Sequence, residues 1–399
     1  MPWEGVTEME QRENLIRDYR LGYYSITELS ERFSVSRKTA YKWINRYEQF
    51  GREGFHEMTR RPHHSPTQTA DVVREELIAL RKKHPKWGPR KLLVKLAEKK
   101  PAWKLPAEST VSRLLKDAGE VHRRRRSRRL HPGCPKSQAQ EPNDIWATDY
   151  KGQFRMGNGQ YCFPLTVSDL ATRYLLGCDG HEAISHDKTA SYFDYLFREY
   201  GLPWRIRSDN GAPFASSALA RLSRLSVWFI KLGIYPELIE PGRPEQNGIH
   251  ERMHRTLKAE ATIPPERCLR SQQKRFDAFR QEFNTERPHE AIGMKCPADL
   301  YQQSERRMPK RIEVYDYPAH YLVRRVSRAG AIRVHHHQVF VATPLAEEYV
   351  GLEEISEGVY DVFFCFYHIG RYDDQTNTME GVISKVPMSR IKADAGWKV

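Results

Sequence analysis

Trp146-Ala147-Thr148-Asp149-Tyr150, Arg207-Ser208-Asp209-Asn210-Gly211 and Gly242-Arg243-Pro244-Glu245-Gln246-Asn247-Gly248 are three short peptides whose joint reading decides the fold. Each places one carboxylate where an element begins or ends: Asp149 on a strand, Asp209 at a strand end before a glycine-permitted turn, Glu245 in the first turn of a helix after two prolines. Thirty-five residues separate Asp209 from Glu245. Converging carboxylates repel unless divalent cations sit among them, so the pattern predicts an all-oxygen cage for Mg²⁺ or Mn²⁺ and a phosphodiester substrate.

Around these peptides, residues 143–305 alternate strands with helices. Strands are expected over 145–153 and 161–168, joined by the turn signal Met156-Gly157-Asn158-Gly159, and a third over 174–178. A helix with Phe193, Leu196, Phe197 and Tyr200 on one face ends at Gly201. There follow a short strand ending at Asp209, a helix carrying Leu219, Leu222, Leu225, Phe229 and Leu232, a strand near 235–239, and a helix from Glu245. Three strands, helix, strand, helix, strand, helix is the order of an RNase H-like mixed α/β sheet.

The 399-residue chain is too long for one ordinary domain. Charged residues are 29% of it and mean hydropathy is −0.73, with no apolar run of membrane-spanning length and no signal peptide, so the reading is a soluble cytoplasmic, nucleoid-associated protein without a membrane partner. Six scattered cysteines fit free thiols in a reducing compartment. Net charge is +14, and its placement is informative: residues 1–140 hold 31 Lys+Arg against 17 Asp+Glu, whereas the remainder holds 34 of each. A basic front on a neutral back half reads as a nucleic-acid grip attached to something else.

Within that front, residues 1–60 read as a helix-turn-helix domain. Ser36 suits an N-cap, and Ala40, Trp43, Ile44 and Tyr47 follow the helical period inward. Arg37, Lys38, Tyr41, Lys42, Asn45 and Arg46 then face outward as a major-groove recognition surface. Residues 66–120 read as a second helix-turn-helix unit, with helices near 70–83, 89–99 and 108–118, and with Arg113 and Lys116 exposed on the last. Residues 121–142 form a basic linker in which Arg123, Arg124, Arg125 and Arg126 are expected to contact phosphate. From 310 to 399 short alternating runs such as Val359-Tyr360-Asp361-Val362-Phe363-Phe364 predict a small all-β domain, a barrel or sandwich.

Together with Asn247-Gly248, Glu251-Arg252 and Phe283-Asn284-Thr285-Glu286-Arg287-Pro288-His289, the three peptides resemble the integrase catalytic core of the Asp-Asp-Glu family, which includes bacterial insertion-sequence transposases and retroviral integrases. The resemblance covers residues 143–300, and the tandem helix-turn-helix front is the arrangement of the bacterial enzymes. It implies that Asp149, Asp209 and Glu245 are catalytic and bind two metal ions per site. It also implies that the protein performs 3′-end cleavage and strand transfer on terminal inverted repeats and target DNA, as a homodimer or larger synaptic assembly. Arg252, one helical repeat beyond Glu245, together with Arg243, Arg255 and Lys258, would line the DNA beside the metals.

One competing motif is present. His250-Glu251-Arg252-Met253-His254 matches H-E-x-x-H, the zinc-protease helix, but zinc proteolysis leaves the basic front without a purpose. The remaining alternative is a domesticated DNA-binding regulator whose core is inert. The three carboxylates favour the DNA-cutting enzyme.

Overall fold

The structure, a computed structural model, describes residues 7–58, 68–121 and 137–381. The linker arginines Arg123, Arg124, Arg125 and Arg126 lie outside the described residues. The chain divides into two compact units, Met1–Thr69 and Ala70–Val399.

The first unit contains α1 (Glu8–Leu21), α2 (Ile26–Arg32) and α3 (Arg37–Phe50). Thr7 and Ser25 open the first two helices with reciprocal bonds to Glu10 and Glu28, and the Ser36 hydroxyl accepts from the Thr39 amide to open α3. Each cap satisfies an amide that the helix cannot, so the starts are fixed by sequence. Leu15, Ile16, Ala40, Ile44 and Phe55 form the core. Arg37, Lys38, Tyr41 and Asn45 are exposed as the helical period predicts, whereas Lys42 and Arg46 are half-buried and lie over the Trp43 ring.

The second unit opens with α4 (Asp71–Lys83), α5 (Pro89–Lys99) and α6 (Glu108–Asp117), packed through Leu77, Leu80, Trp87, Leu92, Leu96, Val111 and Leu115. Arg113 and Lys116 are exposed on α6. His84 Nδ1 lies 2.8 Å from Glu282, tying this helical layer to the α/β core that follows.

The core sheet contains β1 (Ile145–Tyr150), β2 (Phe154–Arg155), β3 (Tyr161–Asp169), β4 (Leu175–His181), β5 (Arg205–Ser208) and β6 (Tyr235–Leu238). Strand β3 pairs with β2, β4 and β1, after which β5 and β6 follow in order. β1 and β3 are antiparallel, while β1, β5 and β6 run parallel. One face is covered by α7 (His186–Tyr200) and α8 (Arg224–Lys231) through Trp146, Leu165, Val167, Phe193, Phe197 and Phe229. The other is covered by α9 (Gly248–Ala261) and α10 (Leu269–Thr285) through Cys162, Leu175, Met253, Leu257 and Phe276. This is the expected RNase H-like sheet.

Two helix starts differ from expectation. Leu219–Arg221 is a 3-10 turn with Ala220 and Arg221 in left-handed conformations, and α8 begins only after Ser223, which caps it with Ser226. Pro244–Asn247 is likewise a 3-10 turn, so α9 proper starts at Gly248, three residues beyond Glu245.

The C-terminal module contains β7 (Leu322–Arg325), β8 (Ala331–Val334), β9 (His337–Phe340), β10 (Tyr349–Ser356), β11 (Val359–Phe364), β12 (Tyr367–Asp373) and β13 (Thr378–Gly381). It is all-β: an antiparallel sheet ordered β13-β12-β11-β10-β7 with the hairpin β8-β9 beside it. His335 turns that hairpin with φ of 48° and its Nδ1 lies 3.3 Å from Asp374, so it serves the turn. The module shares one hydrophobic cluster with α8 and β6: Leu222, Val227, Ile230 and Tyr235 pack with Val339, Val341, Leu345, Ile369 and Tyr372. Among the described residues, no helix is long and apolar enough to cross a membrane.

Candidate functional site

The site is built at the parallel end of the sheet. Asp149 stands opposite Thr166 in the β1–β3 register, and strand alternation turns both away from the Trp146 face toward α9. Asp209 follows β5 directly. Its Oδ1 accepts from the Gly211 amide at 3.1 Å, and a Cβ on Gly211 would lie 3.0 Å from Asp209 Oδ2. Glycine at that position therefore keeps the space beside the carboxylate open. Asn210 fixes the turn by donating to the Ile239 carbonyl at 2.8 Å and accepting from Arg221 at 2.9 Å.

Burial raises the Asp149 carboxyl to about 7; the charge of Asp209 comes next, Lys151 opposes the rise, and Glu251 adds a smaller increment. Like charges at a half-buried carboxyl favour its protonated form, which is the behaviour expected where anionic groups await a cation. The carboxylates that bear on Asp149 are thus Asp209 and Glu251.

Glu245 is placed differently. Inside its 3-10 turn, Gln246 and Asn247 are buried; the Gln246 side chain accepts from the Glu240 amide at 2.9 Å and its carbonyl accepts from Arg207 at 3.2 Å. Anchoring Gln246 inward leaves Glu245 exposed on the turn. Glu251, also exposed, sits in the first turn of α9 three residues before His254, so the two share a helix face. His254 Nδ1 lies 3.6 Å from Asp149 Oδ2. Sequence spacing singles out Glu245, whereas α9 carries Glu251 on the side of His254. The usable signal was the pair His250 and His254, polar residues four apart on a buried face.

These histidines also answer the H-E-x-x-H match. His250 Nε2 is 2.8 Å from the Thr166 hydroxyl and its Nδ1 is 2.7 Å from Ser168, while His254 Nε2 is 2.6 Å from the same Thr166 hydroxyl. Burial holds both rings neutral, His250 well below its ordinary range and His254 at about 3. Three of the four ring nitrogens are occupied by β3 hydroxyls, so the motif fastens a helix to a sheet.

Among the described residues, no group of three or more His, Cys, Asp or Glu side chains is gathered closely enough to cage a metal ion. The donor set of Asp149, Asp209 and Glu251 nonetheless fits a hard divalent cation: it is all carboxylate oxygen, and its principal member is held toward protonation by burial, with the charges of Asp209 and Glu251 adding to it. Arg252, Arg255 and Lys258 are exposed along α9, and Arg243 is exposed in the preceding turn, 3.2 Å from Glu240. Arg173 belongs to the same surroundings, since the charge of Arg252 bears on it; its Nη1 is buried without a hydrogen-bond partner.

Comparison with known proteins agrees with this architecture. Residues 139–244 and 232–297 each match an Integrase core domain family, residues 11–63 a Helix-turn-helix domain and residues 39–115 a Homeodomain-like domain. An uncharacterized 31.7 kDa protein of insertion element IS407 from Burkholderia multivorans is 26% identical across 59% of this chain and 82% of its own length. An uncharacterized 39.2 kDa protein of insertion element IS476 from Xanthomonas euvesicatoria is 28% identical across 59% of this chain and 66% of its own. Among solved structures, the simian T-cell lymphotropic virus intasome in complex with a PP2A regulatory subunit superposes with a TM-score of 0.37 at 12% identity, over 77% of this chain and 99% of that one. The chain is an integrase-core protein of the polynucleotidyl transferase type with helix-turn-helix DNA-binding segments. Its core segments match integrase core families, and it is similar to these insertion-element proteins.

Proposed function

We propose that this protein cuts and joins DNA at the ends of a mobile element, with Asp149, Asp209 and Glu251 as the catalytic carboxylates. The observation that carries the reading is the Asp149 carboxyl, raised to about 7 with Asp209 and Glu251 among the causes. Glu251 takes the place that spacing assigns to Glu245, because its position on α9 brings it to the face that meets Asp149. Mg²⁺ or Mn²⁺ ions, two per site, would supply Lewis-acid activation of the attacking hydroxyl and stabilisation of the leaving 3′-oxygen when bound.

The protein's own share is positional. Asp149, Asp209 and Glu251 would hold the ions. Arg252, Arg255, Lys258 and Arg243 would carry phosphates past the carboxylates, a role for which their exposure on α9 and its preceding turn suits them. Arg37, Lys38, Lys42, Asn45 and Arg46 of the first helix-turn-helix, with Arg113 and Lys116 of the second helical layer, would grip the terminal inverted repeats. The linker arginines Arg123–Arg126 would add phosphate contacts. Tethered modules raise one another's effective concentration on a long DNA site. A homodimer or larger assembly would pair two element ends.

Labelled terminal-repeat DNA incubated with the protein and Mg²⁺ tests the reading. Nicking that exposes a 3′-hydroxyl, and its loss in Asp149→Ala, are expected. No nicking by the wild type would instead favour a DNA-binding regulator with an inert core, and undiminished nicking by the variant would overturn the role given to Asp149.

A further inference from the structure

The proposed function uses Glu251 of the H-E-x-x-H segment and leaves its two histidines unused. They are bonded to β3 beside Asp149. The Thr166 hydroxyl donates to the Asp149 carbonyl at 3.1 Å, and the same oxygen lies 2.6 Å from His254 Nε2 and 2.8 Å from His250 Nε2. His254 Nδ1 lies 3.6 Å from Asp149 Oδ2.

Proton counting fixes the roles. A hydroxyl has one proton and two lone pairs. With the Thr166 proton given to the Asp149 carbonyl, both lone pairs are free to accept, so both histidines donate from Nε2. His250 Nδ1 is then an acceptor for the Ser168 hydroxyl at 2.7 Å. His254 Nδ1 is left with a lone pair directed at the Asp149 side. It gives Oδ2 no proton and at 3.6 Å makes no hydrogen bond to it, so His254 acts through Thr166 and the helix it anchors rather than by gripping the carboxylate.

The match of spacings makes the fastening stiff. Residues four apart on a helix are separated by about 6 Å of rise. Residues two apart on a strand are separated by about 6.7 Å. His250 and His254 therefore meet Ser168 and Thr166 as two rungs, setting the height of α9, and hence of Glu251, against β1.

We infer that His254, anchored by Thr166, is a positioning residue that sets the Glu251 helix against the strand pair carrying Asp149. This inference rests on the proposed metal site. Groups that orient metal ligands in this way typically cost 10–100-fold in metal affinity or activity when removed.

The test is Mn²⁺ binding to the full-length protein by calorimetry without DNA, alongside Mn²⁺-dependent nicking of supercoiled plasmid. His254→Ala is expected to weaken Mn²⁺ binding by roughly 10–100-fold. His254→Gln, whose amide still donates to Thr166, is expected to recover most of the loss. Thr166→Val, of nearly the same shape, removes the shared anchor and serves as the second probe should His254→Ala not fold; it is expected to weaken binding in the same range, and Thr166→Ser to retain it. Unchanged Mn²⁺ affinity in His254→Ala or Thr166→Val, even with a lowered melting temperature, overturns the inference, as does equal weakening in His254→Ala and His254→Gln. A wild type that binds no Mn²⁺ contradicts the metal site itself, which separates the two failures.

Discussion

Asp149 and Thr166 are direct partners in the β1–β3 register, and the Thr166 hydroxyl spans that pair to donate to the Asp149 carbonyl. Thr166 thus links the strand carrying Asp149 to the histidines of the helix that carries Glu251. Pre-organisation of this kind is what metal-assisted phosphoryl transfer asks of a protein, since positioning and charge are its main contributions.

The Asp149 carboxyl makes stability depend on pH. Its pKa rises from 3.8 to about 7 on folding, so the folded metal-free protein binds a proton that the unfolded chain has released. The resulting stabilisation is complete below about pH 4 and is lost as pH rises through 7, reaching on the order of 4 kcal/mol relative to an unshifted carboxyl. Thermal melts of metal-free protein should show this loss between about pH 4 and 7. Asp149→Asn should flatten that part of the profile and melt higher than wild type at pH 8. Saturating Mg²⁺ at pH 8 should raise the melting temperature of the wild type far more than that of the variant.

The recognition helix separates two kinds of basic residue. Arg37 and Lys38 are exposed, whereas Arg46 is half-buried over Trp43 and its Nη1 is buried. Arg37→Ala and Lys38→Ala should each weaken DNA binding and reduce the steepness of its logarithmic salt dependence by about 0.9 per lost phosphate contact, without changing the melting temperature. Arg46→Ala should also lower the melting temperature. Fluorescence anisotropy at several salt concentrations, with melts of the same variants, checks both.

The all-β module is fused to the core through shared packing. Ile230 of α8 is fully buried in the cluster that also holds Val341, Leu345 and Ile369. Ile230→Ala should destabilise the protein by about 2–5 kcal/mol. Calorimetry should show the core and the module unfolding together, since neither retains a closed apolar face alone. Two well-separated transitions for these parts would contradict this.

Much of this was legible before any coordinates. Period-2 and period-3.6 patterning located seven elements from Ile145 to Leu238 to within a few residues, because each buries one face. Ser36 and the residues after it did the same for the recognition helix. The third acid was not legible from spacing, because a 3-10 turn advances differently from an α-helix and Gln246, anchored by Arg207 and the Glu240 amide, sets its rotation. Nor was the pairing of β7 with β10 across the β8–β9 hairpin, which depends on long-range register that alternation alone does not encode.

The central claim is that Asp149, Asp209 and Glu251 form the cutting site, and Glu251→Gln against Glu245→Gln tests it most directly. The measurement is the rate of Mg²⁺-dependent 3′-hydroxyl release from labelled terminal-repeat DNA, with DNA binding followed in parallel. Removing a carboxylate that holds a catalytic ion forfeits several kcal/mol of transition-state stabilisation, a loss on the order of 10³-fold or more. The account predicts that loss for Glu251→Gln at unchanged DNA affinity and near-wild-type cleavage for Glu245→Gln. Full activity in Glu251→Gln, with the loss falling on Glu245→Gln, would contradict it.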